Sequence, residues 1–491
     1  MKKTLLMMAF CGLTLTSMAQ ISRPKLVVGL VVDQMRWDYL YYYYDQYEAD
    51  GLRRLVDGGY SFENCLINYV PTVTAIGHTS VYTGSVPAMH GIAGNSWYEG
   101  TRYVYCCGDA SVRSVGSDSR EGQMSPRNMQ GTTIGDQLRM ATDFQSKVIG
   151  VAMKDRAAIL PAGHSADAAY WWDTSAGHFV TSTYYMESLP KWVTDFNKAH
   201  QVKPGTDVKT SDLGVDLTFQ MAEAALDHER LGQGASTDML CVSVSSTDAI
   251  GHTFGTRGKE NKSVYMTLDK AVARFLAKLD ATVGKGNYLL FLSADHGAVH
   301  NPNYLRNHHL PAEGMQSWSW KKQFNADLCR QLGLSGQLVL DINAGRIDLD
   351  DSLALRAGLD MRAVRQAAID WLLKDPRIRY AVAFDEVGAA TIPEPLKTQI
   401  TNGYFRGRSG DIFYAPRPGY ADTDNSADYR GTNHGQWNPY DAHIPFVLYG
   451  WQVRPGQSTK PTHIVDIAPT VCAMLHIQMP NACVGNAQEM R

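Results

Sequence analysis

The chain lacks an excess of charge of either sign: 46 lysine and arginine residues stand against 49 aspartate and glutamate, for a formal net charge of −3. That balance gives no long-range attraction to a polyanion, so nucleic acid as a polymer is not expected as a partner. Beyond the first nineteen residues no segment supplies the roughly 20 unbroken apolar residues that a membrane span needs. There is no internal repeat and no low-complexity tract. Cysteine is too sparse and irregular for a disulfide scaffold. Eight occur in 491 residues, and with Cys11 set aside those left are Cys65, Cys106, Cys107, Cys241, Cys329, Cys472 and Cys483. Pairing of Cys472 with Cys483 in an oxidising periplasm stays open.

What is present begins with an export signal. Lys2 and Lys3 precede an apolar run from Leu5 to Leu15, and Ser17-Met18-Ala19 places small residues at a cleavage site. Residues 1–19 read as a signal peptide cleaved near Ala19/Gln20, which makes the mature protein periplasmic. Cys11 follows bulky Phe10 inside the apolar run, a poor context for lipid attachment. The remaining length suits two or three average domains or one large α/β core with insertions.

Leu26 to Val32 is a continuous apolar, β-branched run, the pattern of a strand buried on both faces of a parallel sheet. It ends at Asp33. The pattern returns at Lys147 to Met153 before Lys154, at Met239 to Ser245 before Asp248, and at Tyr288 to Leu292 before Asp295. Helical periodicity over Asp212 to Leu231 and Ser263 to Val283 separates strands from one another. The fold class is therefore α/β, a mostly parallel central sheet with helices on both faces, and ligands of such sheets bind beyond the carboxyl ends of the strands. Two regions break the alternation. Residues near 98–128 are rich in Gly, Ser and Arg and read as a loop or small insertion; residues near 301–429 read as an inserted smaller α+β subdomain covering the site. After it, Ile444 to Gly450 returns as a strand and Val465 to Thr470 introduces a final helix.

Asp248 and His252 stand four residues apart, and on a helix that spacing puts both on one face, able to hold one ion. Asp295-His296-Gly297 follows a buried strand, with Gly297 free to turn the chain. His434 lies in the glycine-flanked loop Gly431 to Gly435. Asp33, Asp248, His252, Asp295, His296 and His434 together offer oxygen and nitrogen ligands suited to two zinc ions. Two such ions about 4 Å apart can hold the attacking and leaving oxygens of a phosphoryl transfer. Thr74, in Pro71 to Gly84, reads in isolation as a helix N-cap; beside a metal pair its hydroxyl becomes a candidate nucleophile.

This ordered set resembles the alkaline phosphatase superfamily, on the branch of type I phosphodiesterases and nucleotide pyrophosphatases, and is most similar to the phosphate-irrepressible (PafA-type) alkaline phosphatases. The motifs are Asp33 to Arg36, the Thr74 segment, His90 to Asn95, Lys154-Asp155-Arg156, Asp248 to His252, Asp295 to Gly297 and Gly431 to Pro445, and they span essentially residues 20–491 as one catalytic domain. The resemblance implies an alkaline-phosphatase-like fold and a two-Zn2+ site, with Asp33, Thr74, Asp295 and His296 around one ion and Asp248, His252 and His434 around the other. It further implies that Thr74 is the nucleophile, that Asn95, Lys154 and Arg156 bind the phosphoryl oxygens, and that a phosphothreonine intermediate forms. The Lys-x-Arg pair marks the monoesterase branch, so small phosphate monoesters are the expected substrates; a phosphodiesterase or nucleotide pyrophosphatase is the alternative. Relatives that cleave diesters commonly carry proline two positions after the nucleophile, where this chain has Ile76. A sulfatase is disfavoured because the Cys/Ser-x-Pro-x-Arg pattern is missing there. A monomer is expected. His78, His90, His164, His308, His309 and His443 read as polar packing rather than ligands.

Overall fold

A strand with no polar face has to lie inside a sheet covered on both sides. Leu26–Val32 is such a strand, buried at every residue. It pairs in parallel with Asp238–Val244 on one side and Tyr288–Ser293 on the other, and the sheet continues in parallel through Val148–Ala152 to Ala168–Asp173. These strands too are buried throughout. The computed structural model describes residues 22–490, so the expected signal peptide and its cleavage site lie outside the described residues.

Antiparallel strands flank this parallel centre. Phe446–Gly450 pairs with Tyr288–Ser293, and His178–Ser182 pairs with Ala168–Asp173. Tyr60–Phe62 and Gly456–Ser458 finish one edge and Ser114–Val115 the other, giving a mixed sheet of ten strands. The stretch Ile444 to Gly450, expected as one strand, breaks at Pro445, which has no N–H to give a ladder. His443–Ile444 pairs with Cys65–Leu66, and only Phe446–Gly450 joins the large sheet.

The two long helices are Asp212–His228 and Lys259–Leu279, the second ending in a π turn over Asp280–Gly284. Their apolar faces are buried, and Phe219 meets Phe275 edge to face at 5.5 Å between ring centres. Trp171 and Trp172 belong to the core. In the run Tyr41 to Tyr44, Tyr43 is buried while Tyr41 and Tyr42 are exposed.

Residues 98–128 contain most of the hairpin Ser96–Glu99/Arg102–Tyr105. Within 301–429 lies a second, antiparallel sheet of four strands, in the order Val339–Asn343, Arg346–Leu349, Ile412–Pro416, Ile378–Ala383. The helices Lys321–Leu332 and Met361–Leu372 share its apolar core. A small cluster containing Val70, Phe384, Leu396, Ile400 and Phe413 joins this sheet to the segment that leads into Thr74.

Register places the site. Val32 is paired with Val244, and Val31 with Ser293, so three neighbouring strands end at one level. Asp33, Asp248 and Asp295 follow within four residues of those ends.

Candidate active site

Thr74 is the first residue of the helix Thr74–Thr83, and every residue of that helix is buried. Val73, in extended conformation, holds the cap position, so Thr74 is not the N-cap that its residue type suggests. A wholly buried helix rich in hydroxyls must satisfy them internally. Thr79 Oγ1 donates to the Ala75 carbonyl at 2.7 Å and Thr83 Oγ1 to Thr79 at 2.8 Å. Thr74 is left with an uncapped hydroxyl 3.5 Å from His296 Nε2. The helix also runs close against the end of the Tyr288–Ser293 strand: a Cβ at Gly77 would sit 2.2 Å from the Asp295 carbonyl oxygen. Only glycine fits there.

The structure gathers Asp33, Asp248, Asp295, His296 and His434 into one largely buried cluster, with the half-exposed His252 at its edge. Asp33, Asp295 and His296 offer atoms that lie within 4.8 Å of one another, as do Asp248, His296 and His434. The His296 and His434 rings stack with centres 3.6 Å apart. His252 and Asp248 share one face of the helix Ser246–Phe254, with His252 Nε2 3.1 Å from Asp248 Oδ1.

These residues suit a cation on two counts. Each imidazole turns Nδ1 to a backbone carbonyl: His252 to Thr432 at 3.1 Å, His296 to Gly297 at 3.0 Å and His434 to Thr72 at 2.7 Å. A carbonyl only accepts, so each Nδ1 carries a proton; in His296 and His434, which burial holds towards the neutral form, Nε2 presents a lone pair to the cluster, whereas against its own burial the Asp248 carboxylate draws His252 towards the charged form. In addition, Asp33 Oδ1 and Asp295 Oδ2 are buried carboxylate oxygens with no hydrogen-bond partner among the described residues. The charges strain one another. Burial, then the neighbouring Asp248 and Asp295 carboxylates, push the Asp33 carboxyl well above its ordinary range. Burial also opposes ionisation of Asp248, yet His252 and Lys154 hold it well below. Burial and the adjacent His296 keep His434 neutral.

Lys154 and Arg156 flank Asp155 at the start of the helix Asp155–Ala162. The Lys154 ammonium enters the cluster, 2.7 Å from Asp33 Oδ2 and 2.6 Å from Asp248 Oδ2. One Arg156 nitrogen donates to Tyr105 Oη at 3.1 Å, and that hydroxyl donates to Asp155 at 2.7 Å. The Arg156 Nε is buried without a partner among the described residues. Asn95 accepts the Ala75 N–H through Oδ1 at 2.9 Å, next in the chain to Thr74, and its Nδ2 makes no hydrogen bond among the described residues.

Two residues that bind the cluster together escaped the sequence reading. Gln34 donates through its backbone N–H to Asp295 Oδ1 at 3.1 Å and through Nε2 to Asp248 Oδ1 at 2.6 Å. It does so from a left-handed backbone conformation, φ 64°. His78, read as packing, lies one helical turn beyond Thr74 with Nδ1 2.9 Å from the Thr74 carbonyl and 3.2 Å from Asp295 Oδ2, while Nε2 meets Ser243 Oγ at 2.7 Å. Its spacing of four from Thr74 was the available signal. His90 and His443 do pack. Burial pushes His90 down to about 3, and His443 stacks on Trp37.

Fold and site define an α/β enzyme with a candidate metal centre beyond the carboxyl ends of its parallel strands. The chain belongs to the type I phosphodiesterase / nucleotide pyrophosphatase family, whose model matches residues 27–441. It is 43% identical to alkaline phosphatase PafA of Elizabethkingia meningoseptica, over 95% of this chain and 94% of that one. Alkaline phosphatase PhoV of Synechococcus elongatus is also 43% identical, over 95% of this chain and 92% of its own. The crystal structure of wild-type alkaline phosphatase PafA superposes with a TM-score of 0.91 at 42% identity, covering 95% of this chain and 98% of that chain.

Proposed function

We propose that this chain is an exported alkaline phosphatase that hydrolyses phosphate monoesters with two zinc ions and a phosphothreonine intermediate. The observation that carries the reading is Thr74, a buried hydroxyl at the start of a helix, 3.5 Å from an imidazole of the ligand cluster. Similarity to alkaline phosphatases along nearly the whole chain supports it. Among the described residues no helix is long and apolar enough to cross a membrane.

Asp33, Asp295, His296 and Thr74 would hold one zinc ion, and Asp248, His252 and His434 the other. Bound there, the pair supplies Lewis acidity to the hydroxyl, the departing oxygen and the water that follows, so no protein general acid is needed. Thr74 gives its hydroxyl proton to solvent and its Oγ1 attacks phosphorus in line with the ester oxygen. The Thr–O–P bond forms as the bond to the alcohol breaks, and the alcohol leaves with a proton drawn from solvent. Water then attacks phosphorus from the vacated side, breaking the Thr–O–P bond and releasing inorganic phosphate. Asn95 Nδ2, the Lys154 ammonium and the Arg156 guanidinium bind the non-bridging oxygens. A monoester approaches a dianion, so its transferring group gains most from such fixed positive charge.

The test is a Thr74→Ala variant checked for retained fold and zinc. Activity falls by several orders of magnitude, and acid-quenched wild-type protein yields a peptide phosphorylated at Thr74 by mass spectrometry. Full activity in the variant overturns the mechanism. Faster cleavage of a diester than of the matching monoester by the wild type overturns the substrate class and leaves the nucleophile standing.

A further inference from the structure

Asn95 does not hold itself in place. Its side-chain oxygen is tied to Ala75 and its main-chain oxygen accepts the Cys106 N–H at 3.0 Å; within the loop around it, Gly91 to Ser96, Ile92 N–H donates to His90 Nδ1 at 3.2 Å and Ser96 pairs with Tyr105, and further anchors come from the inserted region 301–429. Arg346, on the strand Arg346–Leu349, is 3% exposed. It donates through one terminal nitrogen to the Ala93 carbonyl at 2.6 Å and through the other to the Ser96 carbonyl at 3.2 Å. Arg408 donates from a single nitrogen to the Gly91 and Asn128 carbonyls, both at 2.8 Å, while its guanidinium lies over the Trp97 ring at 5.2 Å. Both glycines of the loop mark where a guanidinium presses in. A Cβ at Gly94 would lie 2.5 Å from an Arg346 nitrogen, and one at Gly91 would lie 3.0 Å from an Arg408 nitrogen.

A buried guanidinium is costly unless something compensates it. Arg346 has no carboxylate within ion-pair distance among the described residues. Asp348, two residues along the same strand, and Asp341 supply opposite charge without contact. Its hydrogen bonds go to main-chain carbonyls on both sides of Asn95. Arginine's rigid fork suits that task, because it fixes two acceptors at a set spacing.

We propose that Arg346 and Arg408 are positioning residues through which the inserted sheet aims Asn95 at the transferring phosphoryl group. The inference rests on the phosphate-binding role given to Asn95 above. The inserted region then sets the geometry of phosphate binding without touching substrate.

The experiment is a double-mutant cycle on the zinc-loaded full chain, comparing Asn95→Ala, Arg346→Met and the double variant. The readouts are kcat/KM on a phosphate monoester and the inhibition constant of inorganic phosphate, with zinc content and melting temperature as controls. Arg346→Met is expected to lower kcat/KM on the order of 10²-fold, the scale of a misplaced catalytic contact, and to weaken phosphate inhibition in parallel. Arg346→Lys, which keeps the charge and loses the fork, gives the same loss. In the Asn95→Ala background Arg346→Met adds no further loss, because the group it positions is already gone. Equal losses in both backgrounds overturn the inference while leaving Asn95 in its role. An Asn95→Ala variant with wild-type activity removes that role and the inference with it. Should Arg346→Met not fold, Arg408→Lys replaces it in the same cycle, with the same outcomes deciding.

Discussion

Asp441 is a buried carboxyl outside the ligand cluster, and its environment sets a pH dependence. Its Oδ2 accepts the Gln436 N–H at 2.8 Å, whereas Oδ1 has no partner among the described residues. Burial pushes it up to about 8. A carboxyl whose folded pKa lies above its unfolded value of about 3.9 keeps its proton longer in the folded state. Stability attributable to it is therefore full below about pH 4, falls as the pH rises towards about 8 and then levels off, by up to about 1.4 kcal/mol per pH unit. Asp441→Asn, which mimics the protonated form, should flatten that slope and raise the melting temperature at pH 9, as thermal unfolding across pH 4 to 9 would show. At this scale the candidate ligands are more legible in the sequence than the residues that support them. Asp33, Asp248 and Asp295 each stand at or within four residues of the end of an apolar run, a pattern that needs no knowledge of neighbours. Gln34, His78 and Arg346 act on partners more than 160 positions away, and no local pattern encodes such a contact.

The helix Thr74–Thr83 is the element on which chemistry and packing meet. Its close passage over Asp295 is possible only at Gly77, since a methyl group there would lie 2.2 Å from backbone that cannot rotate away. Gly77→Ala ought to push the helix off the strand end, lowering the melting temperature and reducing kcat/KM on the order of 10²-fold; calorimetry and steady-state kinetics would measure the pair of effects. Glycine usually costs a helix about 1 kcal/mol relative to alanine, so here tertiary fit reverses the ordinary sign. Elements with strong periodicity were legible: Leu26–Val32 has the limits its apolar run gives. The break at Pro445 was also written in the sequence as the one residue unable to donate, although the Ile444 to Gly450 run reads as continuous. The partition of its two halves between different sheets was not, because strand partners are chosen by the rest of the molecule.

For the molecule as a whole, Asp33 and Asp248 share the ammonium of Lys154, and Asp295 beside them has no lysine or arginine in contact among the described residues. Buried like charges left without counterions destabilise the folded state, and a ligand that binds only the folded state stabilises it by mass action. Removing the proposed zinc ions with a chelator should accordingly abolish phosphatase activity and lower the melting temperature, and added Zn2+ should restore both; differential scanning calorimetry with metal analysis is the check. The sheet that holds this cluster has a temporal consequence. Leu26–Val32, at its centre, pairs with residues 238–244 and 288–293. A chain made from its amino end thus presents its most apolar strand more than two hundred residues before either neighbour exists. Contacts of such long sequence separation form slowly. Until residue 293 has emerged, that strand depends on chaperones or early collapse to stay out of aggregates.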